Sequence, residues 1–169
     1  MKRRIALIST GGTIEKTYDE LSGVLANHVS VLDVMLVSLE LRGIEVQRIQ
    51  LMNKDSLDMS AEDHTLIAET AGRLARENAG VVVTHGTDTI EESAYLATRS
   101  IGSDKPIVFT GAMRPYELRS TDALQNLTEA LLAVQLVAPG VYVAMHNQVL
   151  QFPGVTKDKV LGTFVKEPG

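Results

Sequence analysis

Cysteine is absent from this 169-residue chain. Its absence excludes disulfide bonds, thiolate metal ligands, iron–sulfur clusters and a cysteine nucleophile. Any nucleophilic chemistry must therefore use oxygen or nitrogen atoms. The histidines also lack the spacing of metal ligands, so we do not expect a bound metal; they are His28, His64, His85 and His146.

Basic charge and long apolar runs are also scarce. The formal net charge is -5 and the pI is about 5.4, so the chain offers no positive field for phosphates and we do not expect a nucleic-acid partner. No stretch approaches the roughly 18 apolar residues of a membrane span. The apolar run at 5–8 that follows the basic residues 2–4 is too short for a signal peptide. We therefore expect a soluble, cytoplasmic protein that binds a small molecule and no membrane.

The composition that is present is that of a folded domain. Hydrophobic residues make up 44% and charged residues 22% of the chain, which excludes disordered and low-complexity classes. A length of 169 residues corresponds to one domain, since domains usually contain roughly 100–200 residues.

Strand and helix patterns alternate along the chain. Short, largely apolar runs are typical of strands buried on both faces, and they occur at 5–9, 81–83, 106–109 and 141–145. Residues 44–52 are also strand-like, because the helical period changes there. Helical patterns lie between them. This alternation predicts a three-layer α/β/α sandwich with a mainly parallel, Rossmann-like or flavodoxin-like sheet in a single domain.

The first two predicted helices carry start and end signals. Ser30 and Asp33 have the spacing of a capping box, and Gly43 is expected to end that helix. The second helix shows the same pattern at 60–63 and is expected to close at Gly80. A third helix is predicted at 89–100, and an apolar stripe from 124 to 134 predicts the fourth.

The loops after the strands are where such a sheet binds ligands. The first loop combines a two-glycine turn with Thr13, Lys16 and Tyr18, which offer a nucleophile and two activating groups. A glycine-rich turn after a first strand most often only makes the turn or binds phosphate. The motif alone therefore leaves both interpretations open.

Polar residues also crowd the second and third loops. Ser56 lies in a segment, 53–59, whose polar residues serve equally well as turn and capping groups. In the third loop, Asp88 is a plausible helix cap, but capping leaves His85 and Thr87 unexplained. The functional alternative is that Asp88 binds a substrate ammonium while helix-start amides bind a carboxylate.

Two further segments, 110–115 and 155–157, offer one cation each, Arg114 and Lys157. A lone basic residue is most often a solvated surface residue. A desolvated lysine beside a carboxylate can instead accept a proton from a threonine hydroxyl, and Lys157 is the candidate for that role.

Taken together, these segments resemble the bacterial L-asparaginase family, specifically its N-terminal domain. The motifs follow the family's order and cover nearly the whole chain; they are TGGTI at 10–14, THGTDT at 84–89, TGAMRP at 110–115 and VTK at 155–157. The resemblance implies hydrolysis of L-asparagine to L-aspartate and ammonia, and it implies no cofactor.

The resemblance also implies roles for individual residues. Thr13 is similar to the nucleophile that forms a β-aspartyl ester, and Tyr18 to a mobile tyrosine beside it; Lys16 is a further candidate activator. Thr87, Asp88 and Lys157 resemble the family's second catalytic triad, in which the lysine lowers the proton affinity of the hydroxyl and the carboxylate stabilises the lysine. Substrate binding is implied for a set that overlaps this triad, namely Gly12, Ser56, Gly86, Thr87 and Asp88.

Two departures from the family pattern carry expectations. Members usually have a second, C-terminal domain, so residues 1–169 are expected to be a short-chain form with only the N-terminal-type catalytic domain. The open site should then be covered by another copy, giving a homo-oligomer of at least two chains. Leu57 stands where many members have a polar substrate-binding side chain, which predicts a high KM, and we expect little glutaminase activity.

Three alternatives remain open at the level of sequence. The chain can be an asparaginase-like subunit of a tRNA-dependent amidotransferase, although that role normally needs extra domains. It can be a non-catalytic amino-acid-binding module, although binding alone would need only Ser56 and Asp88. It can also be a fragment of a two-domain asparaginase.

Overall fold

A six-stranded sheet forms the centre of the molecule. The structure is a computed structural model, and it describes residues 1–100 and 104–169. The strands are β1 (Arg3–Gly11), β2 (Thr17–Asp19), β3 (Val24–Ala26), β4 (Ile44–Lys54), β5 (Gly80–Thr84), β6 (Pro106–Thr110), β7 (Gly140–Met145), β8 (Gln148–Gln151), β9 (Val155–Asp158) and β10 (Thr163–Lys166).

The central sheet has the order β4-β1-β5-β6-β7-β8. Its first five strands are parallel, and β8 pairs antiparallel with β7. The five predicted strands are therefore confirmed. The short β8 strand and the hairpins β2–β3 and β9–β10 were not predicted, because their three or four half-exposed residues leave no apolar run.

Helices cover both faces of this sheet. They are α1 (Leu32–Val37), α2 (Ala61–Glu77), α3 (Ile90–Ser100) and α4 (Ala123–Leu136). Residues of α2 and α3 share one core with alternate side chains of β1, β5 and β6, while α1 and α4 share a second core on the opposite face. The predicted three-layer sandwich is confirmed. No helix in the described residues is long and apolar enough to cross a membrane.

The second helix starts as predicted. Ser60 accepts a hydrogen bond from the backbone N–H of Asp63, and the Asp63 carboxylate accepts one from the N–H of Ser60. This reciprocal pair satisfies two backbone donors that a helix start otherwise leaves free. The helix ends at Glu77, and Gly80 begins the next strand.

The prediction for the first helix was wrong in its details. No side chain caps α1 through a capping box, because Asp33 pairs with Arg48 of β4 at 2.7 Å and the Ser30 hydroxyl donates to Glu15. The helix stops at Val37, well before the predicted end at Gly43. Longer-range partners therefore outcompete the local pattern.

Candidate active site

Three loops meet at the carboxyl edge of the sheet, where β4, β1 and β5 end side by side. A β-carbon added to Gly12 would lie 2.5 Å from Gly86 Cα, and one added to Gly86 would lie 2.5 Å from Ser56 Oγ. Only glycine permits approaches this close. The predicted substrate-binding residues Gly12, Ser56 and Gly86 are therefore brought together.

The loop after β6 packs against the loop after β5 at the same edge of the sheet. Gly111 has no room for a side chain beside His85 and Thr87. The Thr87 hydroxyl also lies 3.8 Å from the sulfur of Met113. Thr87 is thus held between the loops that follow β5 and β6.

Thr13 opens a single 3-10 turn, Thr13–Glu15, directly after β1. Its backbone carbonyl accepts from Lys16 N–H at 3.1 Å, and the preceding Gly12 donates its N–H to the carbonyl of Lys54 at 2.8 Å. The Thr13 side chain is half-buried, and its hydroxyl has no hydrogen-bond partner among the described residues. Such a hydroxyl is available to an incoming substrate.

Lys157 reaches the site from strand β9. Its Nζ lies 2.8 Å from Thr87 Oγ1 and 2.7 Å from Asp88 Oδ1, and its side chain is 8% exposed. Glu91 at the start of α3 accepts from the Lys157 backbone N–H at 2.6 Å and from Thr156 Oγ1 at 2.9 Å. Lys157 therefore contacts both of the other residues of the predicted second triad, and Glu91 fixes the strand that carries the lysine.

Lys16 and Tyr18 lie at the more open side of the same loops. Lys16 Nζ pairs with Asp55 Oδ2 at 2.8 Å, and this hydrogen bond holds the pKa of Asp55 below its usual range. Tyr18 is 61% exposed, and its backbone N–H donates to Glu117 at 2.7 Å. Their roles in activating Thr13 remain predictions.

His85 is fully buried beneath the third loop. Its Nδ1–H donates to the carbonyl of Gly86 at 2.8 Å, and its Nε2 lies 2.9 Å from the hydroxyl of Ser93. Burial lowers the pKa of His85 to about 4, so the imidazole is neutral at pH 7. Its structural role is to brace the loop that carries Gly86 and Thr87.

Asp122 braces the fourth loop in a similar way. Its carboxylate accepts from the backbone N–H groups of Met113 and Arg114 at 3.0 and 2.9 Å and contacts His146 Nε2 at 2.6 Å. Burial alone would raise the pKa of Asp122, but these hydrogen bonds lower it overall. His146 in turn contacts Thr163 of β10 at 3.0 Å, so the network ties this loop to the hairpin that carries Lys157.

Sequence reasoning missed four residues that support the site: Glu15, Glu91, Asp122 and His146. A charged residue near a loop or helix start normally faces solvent, and nothing in the local pattern distinguishes these from that majority. The only signal in the sequence was the proximity of Glu15 and Glu91 to motif residues.

The fold and site define an α/β protein in which a threonine hydroxyl, a lysine amine and a carboxylate meet at the carboxyl edge of a parallel sheet. A hydroxyl beside a desolvated amine is equipped for proton transfer. The loop that carries Thr13 approaches this group where Gly12 meets Gly86.

Comparison with known proteins agrees with this arrangement. The family described as "Asparaginase, N-terminal" matches residues 4–163. The chain therefore belongs to the asparaginase family and matches its N-terminal domain.

Relatives in this family include enzymes and amidotransferase subunits. The chain is 33% identical to a probable periplasmic L-asparaginase of Haemophilus influenzae and 35% identical to L-asparaginase 2 of Escherichia coli, in each case over 90% of this chain and 46% of the relative. It is 30% identical to a glutamyl-tRNA(Gln) amidotransferase subunit of Methanococcus vannielii, over 87% of this chain and 35% of that protein. The chain thus spans less than half the length of these relatives.

Solved structures give the same result. The thermostable L-asparaginase from Thermococcus kodakarensis superposes with a TM-score of 0.86 at 28% identity, over 96% of this chain and 51% of that one. A probable cytoplasmic L-asparaginase from Campylobacter jejuni gives 0.83 at 36% identity, over 98% and 53%.

Proposed function

We propose that this protein hydrolyses L-asparagine to L-aspartate and ammonia through an acyl-enzyme on Thr13. The observation that carries the proposal is the contact of Lys157 Nζ with both Thr87 Oγ1 and Asp88 Oδ1, at 2.8 and 2.7 Å. This contact joins the third loop to β9 beside the loop of Thr13. The proposal is also supported by the family membership, since the relatives described above are named as asparaginases or as an amidotransferase subunit.

The first half of the reaction forms an ester. The Thr13 hydroxyl gives up its proton to a base, Tyr18 or Lys157, and its oxygen attacks the side-chain carbonyl of asparagine. Backbone amides of the glycine loops stabilise the oxyanion. The amide nitrogen takes up the proton that the base received and leaves as ammonia, so the C–N bond breaks as the Thr13 ester forms.

The second half returns the enzyme to its starting state. A water molecule loses a proton to Lys157, directly or through the Thr87 hydroxyl, and attacks the ester carbonyl. The C–O bond to Thr13 breaks, the Thr13 oxygen takes up that proton and aspartate leaves. The groups required are a hydroxyl, an amine and a carboxylate of the chain, so the proposed reaction uses no cofactor.

Substrate selection rests on the groups around Thr13. Asp88 uses Oδ1 for Lys157, which leaves Oδ2 available for the α-ammonium of the substrate. The buried Ser56 binds the other α-substituent, the carboxylate. Fixing both α-substituents places the carbonyl of asparagine, but not of the longer glutamine, at Thr13. Leu57 is 72% exposed and apolar, so it adds no hydrogen bond, and we propose a high KM.

The site is open on one side, which bears on assembly and domain organisation. Tyr18 and Leu57 are exposed, and water there weakens electrostatic catalysis. We propose that residues 1–169 act as an N-terminal-type catalytic domain and that a second copy of the chain covers the site in a homo-oligomer. We also propose a cytoplasmic location.

Ammonia release at millimolar L-asparagine and L-glutamine tests the activity. We expect release from asparagine, little from glutamine, and none above background for Thr13→Ala. A matched control is Thr65→Ala, which changes an exposed threonine on α2 and should leave the rate unchanged.

Ammonia release, together with a measurement of asparagine binding, separates the alternatives. Binding of asparagine without ammonia release would favour an amino-acid-binding module and contradict the enzyme. The similarity to an amidotransferase subunit favours a second candidate, in which ammonia is delivered to a partner. Release by the purified chain at the same rate with L-glutamine would contradict the proposed selectivity.

A further inference from the structure

Glu15 is a buried carboxyl group that the proposed reaction does not use. It lies two residues after Thr13 and is 1% exposed. Its Oε2 accepts from the backbone N–H of Gly11 at 2.8 Å, and its Oε1 accepts from Ser30 Oγ at 2.5 Å. A carboxyl group buried to this degree needs such partners, because desolvation without them is costly.

These two partners stand at opposite ends of one segment. Gly11 is the last residue of β1, and Ser30 lies two residues before α1. The segment between them, 12–29, contains Thr13 and the β2–β3 hairpin with Tyr18. One carboxyl group therefore closes the segment that carries the proposed nucleophile.

Two further buried contacts attach the start of this segment: the Gly12 N–H donates to the Lys54 carbonyl at 2.8 Å, and the Ile14 side chain is fully buried in the core. The other side-chain contacts of the segment are more accessible to water. Lys16 pairs with Asp55 in a half-buried ion pair, and the bond from Tyr18 N–H to Glu117 is exposed. Asn27 donates to the Gly12 carbonyl at 2.9 Å in a partly buried contact. Since exposed polar contacts contribute little, the distinctive feature of Glu15 is that its side-chain bonds, made by a buried carboxyl group, tie the start of the segment at Gly11 to its end at Ser30.

We propose that Glu15 is a positioning residue, which holds the Thr13 turn in its reactive geometry by hydrogen bonding to Gly11 and Ser30. This inference rests on the proposed function. Burial raises the pKa of Glu15, and the nearby Asp33 adds to this rise. The hydrogen bonds from Ser30 and Gly11 and the charge of Arg48 lower the pKa, but the net shift is upward. The neutral carboxyl can also keep both contacts, by donating to Ser30 Oγ, so the role depends on hydrogen-bond geometry and not on charge.

Two substitutions at Glu15 separate geometry from charge. Glu15→Ala removes both hydrogen bonds, and we expect kcat to fall about tenfold to a hundredfold because the nucleophile is misplaced. KM should change little, since Ser56 and Asp88 still bind the substrate. Glu15→Gln keeps an acceptor for Gly11 and a donor for Ser30, so it should restore kcat to within about threefold of the parent protein.

Hydrogen exchange supplies a readout that does not need activity. In folded Glu15→Ala, amides of 12–31 should exchange faster while those of β5 and β6 keep their protection, and Glu15→Gln should restore the slow exchange. Glu20→Ala, an exposed change in the same segment, is the matched control and should alter neither measurement. If Glu15→Ala does not fold, Ser30→Ala removes one of the two bonds and should shift kcat and exchange in the same direction.

The outcomes distinguish the two proposals. Unchanged kcat and unchanged local exchange in folded Glu15→Ala or Ser30→Ala would overturn the positioning role, as would a Glu15→Gln protein that is as defective as Glu15→Ala. If the parent protein releases no ammonia, the proposed function fails. The exchange comparison then still decides whether Glu15 holds the segment.

Discussion

Lys157 shows how one residue connects distant parts of the site. Its amine contacts Thr87 and Asp88, 70 and 69 positions earlier in the chain, and its backbone is fixed by Glu91. The side chain is nearly buried, so water competes weakly for these contacts. Such an amine is well placed to exchange a proton with a hydroxyl.

The first prediction concerns this amine. Lys157→Met keeps the aliphatic stem but removes proton transfer, and we expect kcat for asparagine to fall at least about a hundredfold. Steady-state ammonia release, measured on protein shown to be folded, checks it. Lys159→Met changes an exposed lysine two positions on and should retain the parent rate. A Lys157→Met protein with a near-normal kcat would remove the lysine from the mechanism.

At the scale of elements, the site depends on how closely the strand-end loops approach one another. Gly12 has φ +78° and contacts Gly86, whereas Gly23 has φ +72° and an added β-carbon there would meet no atom within 4 Å. Both glycines have a positive φ, but Gly12 combines it with a ψ of -178°, a conformation essentially restricted to glycine. They therefore differ in backbone strain as well as in their surroundings.

The second prediction uses this pair. Gly23→Ala should lose about 1–2 kcal/mol of stability from its positive φ alone. Gly12→Ala should lose at least about 1–3 kcal/mol more, because its backbone conformation is strained for alanine and its β-carbon overlaps the backbone of the next loop, and asparagine turnover should fall with it. Urea unfolding and ammonia release measure the two effects. Equal losses in both variants would show that the loops have room to separate.

Elements also show where local patterns succeed and fail. The capping box at Ser60 formed because Asp63 bonds both to it and to Lys54 without leaving the helix start. The same spacing at Ser30 and Asp33 failed because Glu15 and Arg48 supply side-chain partners from other elements. The bond between Arg48 and Asp33 is charge-assisted and therefore stronger than a bond to a backbone amide.

At the scale of the whole molecule, stability should depend on pH through His85. Burial lowers its pKa from 6.5 to about 4 in the folded state. Between these values the unfolded chain binds a proton that the folded chain does not, so stability falls as the pH drops from about 6.5 to about 4. The difference between the two pKa values corresponds to at most about 3 kcal/mol.

The third prediction isolates this contribution. His85→Asn keeps a donor for the Gly86 carbonyl but does not titrate, so its loss of stability between pH 7 and pH 4 should be smaller than that of the parent by up to about 3 kcal/mol. Urea unfolding at the two pH values measures it. His28→Asn, an exposed change, should behave like the parent. Parallel pH profiles for parent and His85→Asn would contradict the prediction.

The fourth prediction concerns assembly. If a second copy covers the open side of the site, the active species should have at least twice the mass of the 18.3 kDa chain, with an interface of roughly 1,200 Å² or more. Light scattering at micromolar concentration, on fractions assayed for ammonia release, measures this. An active species with the mass of a single chain would show that one subunit suffices.

The sequence by itself determined the layers of the fold and the order of the motifs. Apolar runs such as 81–83 and 106–109 report burial directly, because a strand between two helical layers must be apolar on both faces. The helix start at Ser60 was equally readable, since its two partners lie three residues apart.

Only the tertiary structure decided which of the polar residues meet. The contacts of Lys157 with Thr87 and of Glu15 with Ser30, and the approach of Gly12 to Gly86, depend on strand order and on the path of each loop. Local periodicity encodes whether a residue is buried but not which distant residue lies beside it. A buried carboxyl such as Glu15 therefore looks like a surface residue until the chain folds and its hydrogen bonds form.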